Sequence, residues 1–129
     1  MTHRLPIRVY YEDTDMAGIV YYANYLKFIE RGRTEFVREL GVDQRQLKED
    51  EGIVFAVRHV DADYLGSAKF DDMLSVETTI ETITGVRLVF RQDVRRDGDL
   101  LFTALVTIVA INEAGAPARL PANIRRKLH

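Results

Sequence analysis

A long amphipathic segment, followed by four long strand-like runs, is the feature that most limits how this chain can fold. Apolar residues recur from Tyr21 to Leu40 at the i, i+4, i+7 spacing of a helix of about five turns, and Gly41 supplies a stop signal. Gly32 lies on this apolar stripe, where it costs roughly 1 kcal/mol of helix propensity. A glycine there favours close packing of the helix on something flat, and a β-sheet is the flat surface that the following runs predict. The stripe consists of Tyr21, Tyr25, Phe28, Ile29, Gly32, Phe36, Val37 and Leu40.

Strand-like patterns lie on both sides of this helix. Arg4 to Tyr11 alternates apolar and polar residues before it, and Leu100 to Ile111, the last run, is apolar except at two threonines. We expect that last run to be a central strand buried on both faces. The order predicts an α+β fold in which a curved antiparallel sheet wraps one long helix. The other predicted strands are Ile53 to Tyr64, Met73 to Ile83 and Val86 to Arg95.

The connections carry weaker signals. An Asp-Gly pair in "RRDGD" predicts a tight hairpin before the last strand. The polar stretch Asp43 to Gly52 shows no predicted element, and the tail "PARLPANIRRKLH" reads as a loop followed by a short helical end.

Length and composition bound the class of protein. The 129 residues predict one domain, 1–129, and a content of 47% hydrophobic and 29% charged residues is typical of a soluble globular chain. A net charge of -2 gives no general attraction to nucleic acid or anionic lipid. The absence of cysteine excludes disulfides, thiolate zinc sites and cysteine nucleophiles. No secretory pattern or membrane-spanning run is present, so we expect a cytoplasmic protein without a transmembrane segment.

The stretch "YEDTDMAG" places three carboxylates just before the helix, at Glu12, Asp13 and Asp15. The turn at Gly18 brings them towards the free backbone N–H groups of the helix start near Tyr22. A carboxylate that attacks or activates water, beside N–H groups that hold an oxyanion, suits hydrolysis of an acyl group. Alternatively, the acids only cap the helix and complement its dipole, each contributing about 0.3–1 kcal/mol. The pattern alone leaves both interpretations open.

Other chemistries have less support. A calcium loop that opens at Asp13 requires a glutamate where this chain has Asn24. His3 and His129 lie near the chain ends, where we do not expect order, and no P-loop, dinucleotide or serine-elbow motif is present. His59 shares strand phase with neighbouring acids, so it is either a base beside them or a partly buried strand histidine.

The segment "VYYEDTDMAGIVYYANYLKFIERGRTEF" resembles the hotdog-fold thioesterases of the 4-hydroxybenzoyl-CoA type, most closely the acyl-CoA thioesterase branch associated with the bacterial Tol-Pal system. The segments "VDADYLGSAKFDDMLSVETTI" and "RLPANIRRKL" are also similar, so the resemblance covers nearly the whole chain. It implies a hotdog fold and hydrolysis of an acyl-CoA. It also implies a homodimer or homotetramer with active sites between subunits, no metal, and no cofactor beyond the coenzyme A of the substrate.

Carried over residue by residue, the resemblance implies that Asp15 is the catalytic carboxylate and that the Tyr22 backbone N–H polarises the thioester carbonyl. Tyr11 matches a tyrosine that lines the substrate pocket, Gly18 belongs to the turn, and Tyr25 is a further candidate wall of the acyl site, although it also lies on the buried helix stripe. The Tol-Pal-associated branch commonly has histidine at the position of Tyr22, "VYHANY" against "VYYANY" here. A short aliphatic and an aromatic acyl group both remain possible.

Two rival functions follow from the same fold. One is a non-catalytic acyl-CoA-binding or scaffold protein. The other is a hotdog dehydratase, which would need a histidine beside the carboxylate and has only His59 to supply it. Coenzyme A would also need local cations for its phosphates. The candidate cations are Arg95, Arg96, Arg125, Arg126 and Lys127.

Overall fold

The computed structural model describes all 129 residues and has the predicted α+β architecture. A five-stranded antiparallel sheet packs against one long helix, with the strand order β1-β3-β4-β5-β2, so β1 and β2 are the edge strands. No helix is long and apolar enough to span a bilayer. The elements are β1 His3–Arg8, α1 Asn24–Glu39, α2 Gln44–Glu51, β2 Val54–Tyr64, β3 Met73–Ile83, β4 Arg87–Arg96, β5 Asp99–Ile111 and α3 Ala122–Leu128, with a short 3₁₀ turn at Tyr11–Asp13.

Helix α1 buries its apolar stripe against the sheet, as predicted. A Cβ added at Gly32 would lie 2.7 Å from Val76 Cγ1 and 3.1 Å from Thr78 Oγ1, so only glycine permits this close approach. The helix begins at Asn24, three residues later than predicted, because Tyr21 and Asn24 close a separate turn and Tyr21 stays half exposed. The buried stripe residues are Tyr25, Phe28, Ile29, Gly32, Phe36 and Val37.

Buried hydrogen bonds fix the position of α1 on the sheet. Gln92 is fully buried on β4, and its Nε2 donates to the Ile29 carbonyl at 2.7 Å and to Thr78 Oγ1 at 2.9 Å. Its Oε1 accepts from Arg33 Nη1 at 2.9 Å. Burial lowers the pKa of Arg33 from its ordinary value. These bonds fix both the rotation of α1 about its own axis and its distance from the sheet.

Helix α2 occupies the polar stretch to which the sequence analysis assigned no element. Asp43 caps it by accepting from the Gln46 N–H at 3.0 Å, and Gly52 ends it with a φ of 65°. Leu47 is its buried anchor.

The prediction that β5 is buried on both faces is wrong for a single chain. Alternate residues from Phe102 to Ala110 are buried towards α1, whereas the other face is partly open and Leu105 is 37% exposed. The outer face carries both threonines of the run, Thr103 and Thr107, between apolar residues, and it has no covering layer within the chain.

Strand β2 contains a β-bulge that changes which residues share a face. The register with β5 shifts between Val57 and His59, so Phe55 and Val57 lie on the helix side while His59 and Asp61 lie on the outer side. His59 therefore shares a face with the neighbouring acids Asp61 and Asp63, as predicted, but not with Phe55 and Val57, because the bulge inserts one unpaired residue.

His3 is ordered, contrary to the expectation from its place near the chain end. Its ring stacks on Phe36 at 5.6 Å between centroids, and its Nε2 lies 3.0 Å from Glu39 Oε2. Pairing of β1 with β3 holds the residue in place.

Candidate active site

Asp15 lies in a tight turn that orients its carboxylate. Its backbone N–H donates to the Ile19 carbonyl at 2.9 Å, and the Gly18 N–H donates to the Asp15 carbonyl at 3.0 Å. Oδ1 accepts from the Ala17 N–H at 2.9 Å, whereas Oδ2 accepts no hydrogen bond from the chain. Gly18 has a φ of 80°, which explains why glycine suits this position. One carboxylate oxygen is thus fixed and the other is free to meet water or substrate.

A second loop, residues 65–72 between β2 and β3, contacts this turn. Ile19 forms an isolated bridge with Lys69, and the Val20 N–H donates to the Ala68 carbonyl at 2.8 Å. Asp72 braces the second loop, since its Oδ2 accepts from the Lys69 N–H at 2.8 Å and from Arg96 Nη1 at 2.9 Å. Burial alone would raise the pKa of Asp72, but these bonds and the positive charges bring it below its ordinary value. The Asp72 carboxyl is therefore ionised at neutral pH.

The start of α1 presents backbone N–H groups that the chain leaves unpaired. The Asp13 carbonyl accepts from the Tyr21 N–H and from Asn24 Nδ2, both at 2.9 Å. The N–H groups of Tyr22 and Ala23 donate to no protein acceptor, and no side chain caps the helix. The region therefore offers partial positive charge to an oxygen from outside the chain.

The acidic side chains do not cap α1. The Asp13 carboxylate accepts instead from the Tyr10 N–H at 2.8 Å, and Glu12 is exposed at the 3₁₀ turn. Of the two interpretations that the sequence left open, capping of α1 by these carboxylates is thus not observed.

Large apolar side chains surround the turn but remain exposed. Tyr11 is 82% exposed and meets Phe70 edge-on at 6.4 Å between centroids, and Met16 is fully exposed. Tyr22 is 62% exposed, with its ring beside Tyr21 at 5.0 Å. Tyr11 and Tyr22 belong to the segments on either side of that turn, and none of the five main cavities is built from these exposed side chains.

Tyr25 lies in the core rather than among these exposed side chains. It is 2% exposed, stacks on Phe102 at 5.1 Å between centroids, and accepts a hydrogen bond from the Ala68 N–H at 3.0 Å. Burial raises the pKa of its hydroxyl. The suggestion that Tyr25 walls the acyl site therefore disagrees with its placement, because its ring is enclosed by core residues and its hydroxyl positions the second loop.

None of the five main cavities is lined by Asp15 or Tyr22. One apolar pocket of about 190 Å³ lies between α1 and the edge of the sheet, with Phe55, Val57, Phe90 and Ile108 among its lining residues and Arg33 at its side. It opens beside the exposed edge strand β2 and lies apart from the Asp15 turn.

The remaining candidate residues lie elsewhere. His59 is exposed on the sheet face opposite α1, away from the helix start. Arg95 lies 3.2 Å from Glu77 and 3.6 Å from Asp93, so both it and Arg96 are held by carboxylates. Lys127 donates to the Gly41 carbonyl at 3.0 Å. No cluster of three or more His, Cys, Asp or Glu that could hold a metal ion is present.

A five-stranded antiparallel sheet around one helix, with an oriented carboxylate in the turn that leads to unpaired N–H groups at the helix start, defines a hotdog protein with a site suited to acyl hydrolysis. The family model described as "Thioesterase superfamily" matches residues 17–103, a segment that includes Tyr22 and begins two residues after Asp15. The chain belongs to this superfamily.

Individual relatives agree with this assignment. The chain is 38% identical to the acyl-CoA thioesterase YbgC of Haemophilus influenzae, over 96% of this chain and 92% of the relative. It is 42% identical to the acyl-CoA thioester hydrolase YbgC of Escherichia coli O6:H1, over 94% of this chain and 91% of the relative. The predicted resemblance to acyl-CoA thioesterases is thereby confirmed.

Solved structures confirm the hotdog fold. A probable thioesterase from Bartonella henselae superposes with a TM-score of 0.90 at 40% identity, covering 94% of this chain and all of that one. A mutant of 4-hydroxybenzoyl CoA thioesterase, complexed with 4-hydroxybenzoyl CoA, superposes with a TM-score of 0.93 at 24% identity, over 99% of both chains. The second likeness supports the fold alone.

Proposed function

We propose that this protein hydrolyses the thioester of a small acyl-CoA, with Asp15 as nucleophile or general base and the Tyr22 N–H as oxyanion donor. The observation that carries the proposal is the free Oδ2 of Asp15 in a turn that leads to a helix start with unpaired N–H groups. The relatives named acyl-CoA thioesterases support it. The reaction calls for no cofactor beyond the coenzyme A of the substrate, and we propose the cytoplasm as its compartment.

Two routes use the same groups. In the first, a carboxylate oxygen of Asp15 attacks the carbonyl carbon, an anhydride forms and the thiolate of coenzyme A leaves; water then cleaves the anhydride. In the second, Asp15 takes a proton from a water molecule that attacks the carbonyl carbon directly; the C–S bond then breaks, and the proton passes from Asp15 to the departing thiolate of coenzyme A. Both place negative charge on the thioester oxygen, where a preorganised N–H lowers the barrier. Both regenerate the Asp15 carboxylate.

We further propose that two copies complete the site. The lining of the apolar pocket begins at Glu30, eight residues after Tyr22, so the two are about 12 Å apart along the chain direction of the helix at about 1.5 Å per residue. The Tyr64 hydroxyl bonds the Tyr22 carbonyl, so the helix start lies at one end of β2, while Phe55 and Val57 in the pocket lie at the other. Two antiparallel β2 strands related by a twofold axis would bring the pocket of one copy to the Asp15 turn of the other.

Strand β2 has the features of an assembly edge. It is an unpaired edge of eleven residues, about 34 Å long at about 3.4 Å per residue. Val57 is 52% exposed and Val60 is 38% exposed along it. Long apolar edges are usually covered in native proteins, and a second copy of β2 would cover this one. The pocket of about 190 Å³ is smaller than the about 300–1,000 Å³ of sites for drug-sized ligands, which favours a short-chain or single-ring acyl group.

Light scattering tests the assembly. We expect a dimer or tetramer, with a mass at least twice the 14.8 kDa of one chain. Val60→Lys places a charge on the edge and is expected to lower both the mass and the turnover, whereas Met73→Lys, at a somewhat more exposed residue on β3, should change neither. A fully active monomer would contradict the proposed assembly.

A substrate panel tests the activity. We expect the purified protein to release free coenzyme A from short aliphatic acyl-CoA thioesters or from benzoyl-type thioesters, with longer chains as poorer substrates because the pocket is small. Thiol release is followed with a chromogenic disulfide, and binding of the same compounds is measured by calorimetry. Tight binding without turnover across the panel would favour the rival function, a non-catalytic acyl-CoA-binding protein.

A further inference from the structure

The carbonyl of Tyr22 depends on one distant hydroxyl. The Tyr64 hydroxyl, at the end of β2, donates to it at 3.0 Å. In a continuous helix the Leu26 N–H would be the donor, but it binds the Ala23 carbonyl at 3.1 Å instead. No other hydrogen bond reaches the Tyr22 carbonyl.

The peptide unit that this bond fixes lies within the proposed oxyanion site. The Tyr22 carbonyl shares its peptide unit with the Ala23 N–H, which donates to no protein acceptor. The preceding unit carries the free Tyr22 N–H, and its Tyr21 carbonyl accepts from the Asn24 N–H at 2.8 Å. Two consecutive N–H groups are therefore free while both of their carbonyl partners are bonded. A bonded carbonyl also strengthens the N–H of its own peptide as a donor.

Tyr64 is 46% exposed, but one side of its ring packs on other aromatic rings. Its ring packs edge-on against Phe102 at 5.0 Å, against Tyr25 at 5.6 Å and against Tyr22 at 6.1 Å between centroids. Burial, followed by the neighbouring tyrosines, raises the pKa of its hydroxyl, which therefore remains protonated and able to donate at neutral pH. A donor on a packed ring fixes the Tyr22–Ala23 peptide better than water would.

We propose that Tyr64 is a positioning residue for the oxyanion site, and that its hydroxyl holds the Tyr22–Ala23 peptide so that the Ala23 N–H stands beside the Tyr22 N–H as a second donor to the thioester oxygen. The inference rests on the proposed hydrolase function. Because the interaction matters most when charge develops on that oxygen, it affects turnover more than substrate binding.

Tyr64→Phe removes only the hydroxyl and keeps the packed ring. We expect kcat to fall about tenfold, less than the about 100-fold to 1,000-fold loss of a donor itself, since water can replace the positioning bond in part. KM should change by less than twofold. Tyr10→Phe is the matched control, because the exposed Tyr10 hydroxyl makes no hydrogen bond, and it should leave kcat unchanged.

A spectroscopic measurement separates positioning from general stability. The backbone ¹⁵N resonance of Ala23 shares its peptide unit with the Tyr22 carbonyl, so we expect it to move in Tyr64→Phe and to stay in Tyr10→Phe. A kcat equal to wild type, an unmoved Ala23 resonance, or a rise in KM at constant kcat would each overturn the inference. If the wild-type protein hydrolyses nothing in the panel, the proposed function fails independently, and the Ala23 resonance still decides whether Tyr64 holds this peptide.

Discussion

Asp15→Asn is expected to lower kcat by about 100-fold to 10,000-fold, the usual contribution of a carboxylate that acts as base or nucleophile. The amide can neither attack the thioester carbon nor take a proton from water. It should leave the turn intact, because the asparagine carbonyl can still accept from the Ala17 N–H that Asp15 Oδ1 binds at 2.9 Å. Substrate binding is therefore expected to persist, with the loss in kcat rather than in KM. Steady-state hydrolysis of the best panel substrate measures the effect.

Glu12→Gln is the matched control for this substitution. It makes the same carboxylate-to-amide change three residues away, on an exposed side chain that forms no hydrogen bond or ion pair in the structure. Its turnover should equal that of the wild-type protein. Undiminished turnover in Asp15→Asn, with a melting curve like that of the wild type, would remove Asp15 from the mechanism.

Local patterns were sufficient to predict most of the fold. The helix stripe and the glycine within it predicted a helix that lies close to a sheet, and Gly32 does approach Val76 closely. The Asp97–Gly98 pair, with φ values of 50° and 89°, makes the predicted hairpin turn. Helix α2 was missed although its cap was readable, since Asp43 precedes Gln46 at capping-box spacing.

The features that sequence reasoning missed depend on distant partners. The bulge near Val57 is defined by pairing with β5 and has no local signal in β2. Gln92 interrupts the apolar face of a strand, and its distant partners Ile29, Thr78 and Arg33 explain why a polar side chain is fully buried there. The outer face of β5 was judged from its own residues, but burial requires a second layer, and one chain does not supply it.

The candidate site also combines features that the local sequence predicts with features that depend on distant partners. The acid turn and the helix start are close in sequence, so local patterns were enough to nominate Asp15 and the Tyr22 N–H as candidates, and their joint role stays a prediction. The sequence could not predict which backbone groups are hydrogen-bonded there. The Tyr21 N–H donates to the main-chain carbonyl of Asp13 rather than to a side chain, and the Tyr22 N–H has no protein acceptor. The contact from Tyr64 spans 42 residues and had no sequence signal.

Tyr22→Pro is expected to lower kcat about 100-fold to 1,000-fold, the typical cost of removing one oxyanion donor. Proline deletes the backbone N–H, and the folded chain loses no hydrogen bond, because this N–H donates to no protein acceptor. The position also suits proline. The Asn24 N–H bonds the Tyr21 carbonyl, so Tyr22 is the first central residue of a turn, and Ala23 has φ and ψ of -70° and -20°. Proline is favoured at that position of a type I turn.

Tyr22→Ala isolates the backbone contribution, because it removes the same ring as the proline substitution and keeps the N–H. We expect Tyr22→Ala to keep most of the turnover, so the ratio of kcat between the two variants measures the donor itself. Circular dichroism and thermal melting of both variants establish that the helix start still folds. Equal turnover in two folded variants would contradict the role of the Tyr22 N–H, and it would direct attention to the Ala23 N–H as the principal donor. A large ratio would also show that the donor is independent of the side chain attached to it, so tyrosine at this position is compatible with the proposed role.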